Sequence, residues 1–317
     1  MSHSGHSEPW REWRGALASP RMHHGWLLVG KRGIGKIDFA IAAARELVAE
    51  GEAKQPKDHP DILVLTHLPK DEKEEKKRDA GKPFDLKRNI TVGQIREMQQ
   101  RLTTRPTLGA RRAIIIFPAD DLEKNAANAL LKSLEEPPEG SFFILVTHRP
   151  GRLLPTIRSR CRVLRFAEAP QSEIEEMLVD EAPDADRPTL EKAVSISGGS
   201  PGVAREFIEH DLAPLHDLMV RILREGDEDF ALRGALADAI GLRPKRDRQL
   251  AAIDLARSVI AREMRAATKR QLSGIIEAHG ELNRLASQAP TYNFDAGLLV
   301  MEIGTLLASA ATPRETA

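Results

Sequence analysis

Seven consecutive residues, Gly30, Lys31, Arg32, Gly33, Ile34, Gly35 and Lys36, match the pattern G-x-x-x-x-G-K. They stand between an apolar run, residues 26–29 (WLLV), and an alanine-rich stretch, residues 37–50, that stops at Gly51. The order is strand, loop, helix, which is the setting this pattern needs to hold a phosphate. Glycines let the backbone curl until its N–H groups face one point, the helix start favours an anion there, and the Lys36 ammonium adds a full charge. Gly30, Gly33, Gly35 and Lys36 are therefore the expected nucleotide-contacting residues. The loop also restricts the fold, because its strand has to lie in a sheet covered by helices.

The chain up to residue 166 supplies such a sheet. Residues 61–65 (DILVL), 113–117 (AIIIF) and 142–146 (FFILV) are near-continuous apolar runs, the mark of parallel strands buried on both faces, and CRVLRF (161–166) reads as a further strand. Residues 92–102 follow Thr91, a suitable N-cap, while residues 125–135 place Ala127, Leu130, Leu131 and Leu134 on one helical face before Pro137 and Pro138. The run 70–82 (KDEKEEKKRDAGK) is almost wholly charged and is expected to be a solvated loop or insertion. After Phe166 the strand signal ends. Residues 172–179, 189–196 and 201–209 read as short helices around the turn SGGSPG, and from about residue 212 everything reads as helix, with 250–267 and 296–308 apolar over broad faces. The expected organisation is α/β: a P-loop domain with a parallel sheet over residues 1–166, a small helical domain over 167–211 and a helical domain over 212–317.

Hydrolysis at such a loop needs oxygen ligands for magnesium. The position after Lys36 should be Ser or Thr, but Ile37 stands there and has no oxygen. A carboxylate should end a later apolar strand, yet AIIIF runs into Phe117 and Pro118, and Asp120 and Asp121 arrive only after them. These aspartates either act as displaced metal ligands or serve the N-terminus of the next helix. Losing both anchors removes several orders of magnitude in rate and leaves room for weak ATP or ADP binding.

The 317 residues, 41% of them hydrophobic, suit two or three domains. Lys and Arg number 47 and Asp and Glu 47, so contact with nucleic acid has to come through a local patch or through partners. The single cysteine, Cys161, excludes an internal disulfide and a multi-cysteine zinc site and fits a reducing cytoplasm. No apolar run is long enough to span a bilayer, and the start (MSHSGHSEPWREW) lacks the apolar stretch of a secretion signal, so a cytoplasmic protein without membrane contact is expected. The pair His23 and His24 reads as loop packing rather than a metal site.

The segment NALLKSLEEPP (128–138), the strand FFILVT after it and TIRSRC (156–161) together resemble the clamp-loader AAA+ subunits of bacterial DNA polymerase III. With HHGWLLVGKRGIGK (23–36), HPD (59–61) and ITVGQIREM (90–98), the resemblance covers roughly residues 1–210 and points to the delta-prime family. It implies an AAA+ P-loop domain, a helical lid and a helical collar that joins five subunits in a ring around primer-template DNA. The implied partners are the motor (tau/gamma) and delta subunits, with the sliding clamp and DNA met through the complex. In the family the arginine of the S-R-C motif reaches ATP held by the neighbouring motor subunit. Ser159, Arg160 and Cys161 stand there, so the resemblance implies Arg160 as an arginine finger in trans, in a subunit that does not itself hydrolyse ATP and requires no cofactor. A guanidinium suits that task because it stays charged and offers several donors in one plane. Without the resemblance, Arg160 reads as a surface salt bridge beside CRVLRF. Motor subunits carry a phosphate-sensing arginine where Gly202 stands, and Arg205, three residues on, is expected to face elsewhere. Many family members carry a four-cysteine zinc module where residues 51–59 have no cysteine, so no zinc is expected. Two readings compete: an active ATPase in which Asp120 or Asp121 restores the metal site, and an adaptor with partners outside replication.

Overall fold

The computed structural model describes residues 6–49, 58–82, 84–242, 244–289 and 294–311. The chain divides into two compact units, Met1–Ala169 and Pro170–Ala317. The first contains strands β1 (Gly25–Val29), β2 (Ile62–Leu65), β3 (Arg112–Ile116), β4 (Ser141–Thr147) and β5 (Arg162–Arg165). Its helices are α1 (Ser7–Leu17), α2 (Lys36–Val48), α3 (Glu72–Asp79), α4 (Val92–Leu102), α5 (Lys124–Glu135) and the single turn α6 (Pro155–Arg158). The strands lie in the order β2-β3-β4-β1-β5, and every neighbouring pair is parallel. This is the expected α/β arrangement, a parallel sheet with the glycine loop 30–36 following its first strand, and the second unit is wholly helical.

The apolar runs form strands because alternate side chains enter two separate cores. Trp26, Leu28, Ile115, Ile144 and Val146 pack with Trp10 and Trp13 of α1 and Phe39, Ala43 and Leu47 of α2. Leu27, Ile114, Ile116, Phe143 and Leu145 pack with Ile95 and Met98 of α4 and Leu130 and Leu134 of α5. The Thr91 cap is present as a full capping box, in which Thr91 accepts from the Gln94 backbone and the Gln94 side chain accepts from the Thr91 backbone.

Helix α1 has no counterpart in the sequence reading, since its charged residues hide two tryptophans three positions apart. Trp13 meets Trp26 edge-on at 5.1 Å, and Trp10 lies 4.3 Å from Phe39. The charged run differs from expectation as well: residues 72–79 are helical rather than loop. Asp71 caps the helix by accepting from the Glu74 N–H, acidic residues fill its first turn and basic residues its last, as the helix dipole favours. Glu74 also pairs with Lys77 at 2.7 Å and accepts from the Asp85 N–H at 2.8 Å.

The HPD aspartate proves to be structural. Asp61, fully buried, accepts from the N–H groups of Thr107 and Leu108 at 2.7 and 2.8 Å and pairs with the buried Arg112 at 3.3 Å. Arg112 in turn donates to the carbonyls of Arg101 and Arg105 at 2.6 and 2.9 Å. One ion pair thus ties the chain leaving α4 to the entrances of β2 and β3.

The second unit holds α7 (Gln171–Glu181), α8 (Arg187–Ser197), α9 (Pro201–Glu209), α10 (Ala213–Glu225), α11 (Ala231–Ile240), α12 (Arg246–Ala266), α13 (Lys269–Gln288) and α14 (Ala296–Ser309). The SGGSPG turn works through Gly198 and Gly199, both in the left-handed region, and through Ser200, which caps α9. A buried pair, Arg233 with Asp227 at 2.7 Å, joins α11 to the loop before it, and Arg233 Nη1 reaches Thr305 Oγ1 of α14 at 3.2 Å. Gly304 permits that approach, because a Cβ there would lie 2.5 Å from Arg233 Cγ.

Candidate functional site

The loop Gly30–Lys36 leaves the C-terminal end of β1 and enters α2. Gly33 (φ 74°) and Gly35 (φ 90°) take the left-handed conformation the curl requires. At Gly30 a Cβ would come within 2.9 Å of the Phe166 carbonyl, so only glycine lets β1 and the end of β5 sit this close. Lys36 is buried, and its ammonium donates to the Gly30 carbonyl at 2.7 Å and to that of Lys31. The charge therefore rests on the loop's own carbonyls. Burial pushes the Lys36 pKa down to about 8, against the attraction of Asp120. His6, which belongs to no site pattern in the sequence, hydrogen-bonds through Nε2 to the Ile34 carbonyl at 2.7 Å and meets Phe166 edge-on at 4.8 Å.

Neither metal-anchor position offers an oxygen. Ile37 and Phe117 both pack against the core between the sheet and α2, and the Phe117 ring lies edge-on to His148 at 5.7 Å. Asp120 and Asp121 lie in a short 3-10 turn, Ala119–Asp121, and do not cap α5, whose N-cap is Glu123. They turn instead toward the end of β4. Asp120 accepts from Thr147 Oγ1 at 2.9 Å, from the His148 N–H at 3.0 Å and from Arg149 Nε at 3.1 Å. Burial alone would raise its pKa, but these donors outweigh it and hold the carboxyl below its usual range. Asp121 pairs with Arg149, Arg152 and His67 at 3.4, 3.9 and 3.4 Å. Both carboxylates are thus matched to cations of the chain itself. His148, beside them, is pushed down to about 4 by burial and by the nearby Lys36 charge, so it is neutral at pH 7.

Arg160 lies at the other end of the sheet. It stands two residues before β5, whose Arg162 pairs with Trp26 at the start of β1. A strand rises about 3.3 Å per residue, so the five steps from Gly25 to Gly30 put roughly 16 Å between the two ends. A Cβ at Gly25 would sit 2.9 Å from the Arg160 carbonyl and 3.4 Å from Cys161 Sγ. Cys161 belongs to the core, where burial pushes its thiol up to about 12 and leaves it unionised at neutral pH. The Arg160 side chain is about one-third exposed. Its Nη2 pairs with Glu135 Oε1 at 2.7 Å and its Nη1 donates to the Thr156 carbonyl at 3.1 Å. The surface salt bridge read for Arg160 therefore exists, with Glu135 as its partner.

Residues 5–170, just over half of the chain, match the family described as DNA polymerase III, delta subunit. The chain belongs to that family. It is 33% identical over 215 residues to a DNA polymerase III subunit delta' of Pseudomonas aeruginosa, an alignment covering 63% of this chain and 60% of that protein. Identity to the Escherichia coli subunit delta' is 30% over 204 residues, covering 60% of this chain and 56% of that protein. The match thus spans less than two thirds of these relatives' own length. A crystal structure of a DNA polymerase III gamma subunit-related protein from Thermotoga maritima superposes with a TM-score of 0.49 at 21% identity, covering 95% of this chain and 99% of that one.

In this DNA polymerase III delta family member, Gly202 stands in the first turn of α9 and carries no side chain, and Arg205 is held by Glu181 of α7 at 2.7 and 2.8 Å. Among the described residues, no group of three or more His, Cys, Asp and Glu side chains is arranged to hold a metal ion. Residues 51–57, most of the stretch where a zinc module was considered, lie outside the described residues. His23 and His24 stack at 4.8 Å, and His24 Nε2 bonds the Leu134 carbonyl at 2.9 Å, which is the packing role read from the sequence. No described helix is long and apolar enough to cross a membrane.

Proposed function

We propose that this chain is a cytoplasmic clamp-loader subunit of the DNA polymerase III holoenzyme that does not hydrolyse ATP in its own loop and lends Arg160 to ATP bound by a neighbouring motor subunit. The observation that carries the reading is the placement of Arg160, partly exposed beside the start of an edge strand and a full strand length from Gly30–Lys36. An arginine so placed has no access to its own loop and is available to another chain. Ile37 and Phe117 support the other half of the reading, since neither can bind a magnesium ion. The competing ATPase needs Asp120 or Asp121 as a free metal ligand, and both are engaged by arginines.

In this reading Gly30, Gly33, Gly35 and Lys36 form a residual loop that binds ATP or ADP weakly at most. The motor (tau/gamma) and delta subunits are the direct partners, and the sliding clamp and primer-template DNA are met through the assembled ring. Residues 167–211 act as the lid and 212–317 as the collar. Co-expression with the motor and delta subunits is expected to yield one complex containing this chain in size-exclusion chromatography. A complex that forms without it, leaving it monomeric, would favour an adaptor outside replication.

A further inference from the structure

Three segments far apart in sequence meet behind Arg160. Leu134 and Glu135 close α5, His24 and Gly25 open β1, and Arg160 and Cys161 lead into β5. The Leu134 carbonyl is hydrogen-bonded by His24, the Arg160 backbone is pressed against Gly25 where no Cβ would fit, and Cys161 is buried beneath. The main chain on both sides of the Glu135–Arg160 pair is therefore fixed by the core. Glu135 itself stands at the C-terminal end of α5 with Glu136 next to it, a place where the helix dipole disfavours a carboxylate. A cation across from it offsets that penalty, and Arg160 meets it at 2.7 Å.

We propose that Glu135 is a positioning residue that presents the Arg160 guanidinium outward, an inference that rests on Arg160 acting on a neighbour's ATP. A guanidinium carries five N–H donors. Glu135 and the Thr156 carbonyl take two of them, and three remain for phosphate oxygens. A long side chain held in this way has given up its rotamer freedom before the neighbour arrives, which leaves less to be ordered in the transition state. Exposed ion pairs add little to stability, so the effect of Glu135 belongs in turnover rather than in folding.

The test is a double-mutant cycle in the reconstituted assembly, with kcat and KM for ATP measured under DNA and clamp stimulation. Glu135→Ala is expected to lower kcat about tenfold with KM within about twofold, to cause no further loss beside Arg160→Ala, and to be largely rescued by Glu135→Gln, which keeps an acceptor oxygen. If Arg160→Ala lowers kcat but Glu135→Ala does not, the positioning role is wrong while the arginine reading stands. A loss from Glu135→Ala that persists in full beside Arg160→Ala overturns it also, as does a rise in kcat. If Arg160→Ala itself has no effect, the underlying reading fails and takes this inference with it. Glu135→Gln serves as the folded comparison should the alanine variant melt early.

Discussion

Arg160→Ala is expected to slow hydrolysis at the ATP site it faces by about 10³-fold, the lower end of what a trans arginine contributes in phosphoryl transfer. The ring should still assemble. The side chain gives up only a surface pair with Glu135 and a hydrogen bond to Thr156, together worth about 1 kcal/mol or less, and the core beneath, including Cys161, is untouched. Size-exclusion chromatography checks assembly, and steady-state phosphate release checks turnover. Arg160→Lys keeps the charge but loses the planar fork, so most of the loss should remain.

The second large effect is on stability. Asp61→Ala should destabilise the first unit by about 3–5 kcal/mol, because it leaves the Arg112 guanidinium buried without its anion and removes the acceptor of two backbone N–H groups. Trp10, Trp13 and Trp26 are the only tryptophans of the chain and all lie in that unit, so tryptophan fluorescence during urea unfolding reports on it alone. The same carboxylate sets an acid dependence. Burial would raise its pKa, but the Leu108 and Thr107 N–H groups and Arg112 outweigh that and hold it below the usual carboxylate range. A depressed folded pKa contributes stability that is complete above the unfolded value, about 3.9, and disappears as pH falls through the folded one. The stability gap between wild type and Asp61→Asn should therefore be level from neutral pH down to about 5 and narrow below about 4.

The sheet was legible because AIIIF and FFILV are apolar at every position, short, and rich in β-branched and aromatic residues, which favours strands covered on both faces. Helices α4 and α5 were legible through the Thr91 cap and the Leu130 and Leu134 stripe. Helix α1 was not, since its fit depends on two tryptophans that recognise Phe39 and Trp26 only once the sheet exists. The charged run folded into α3 because its charges are sorted along the helix, an ordering that composition does not show. The losses at Ile37 and Phe117 could be read directly, as an absent oxygen needs no geometry. The use of Asp120 and Asp121 could not, because Arg149 and Arg152 lie more than 25 residues away and reach them across the end of β4. The Glu135 contact was not legible for the same reason, since the parallel register of β4, β1 and β5 brings it to Arg160.

The most direct test compares two variants in one assay, DNA- and clamp-stimulated ATP hydrolysis by the complete assembly, with Lys36→Ala and Arg160→Ala each introduced into this subunit alone. Lys36→Ala is expected to stay within about twofold of wild type, because its loop lacks both metal anchors, while Arg160→Ala slows hydrolysis at the adjoining site by about 10³-fold. A large loss from Lys36→Ala beside normal turnover in Arg160→Ala would contradict this expectation.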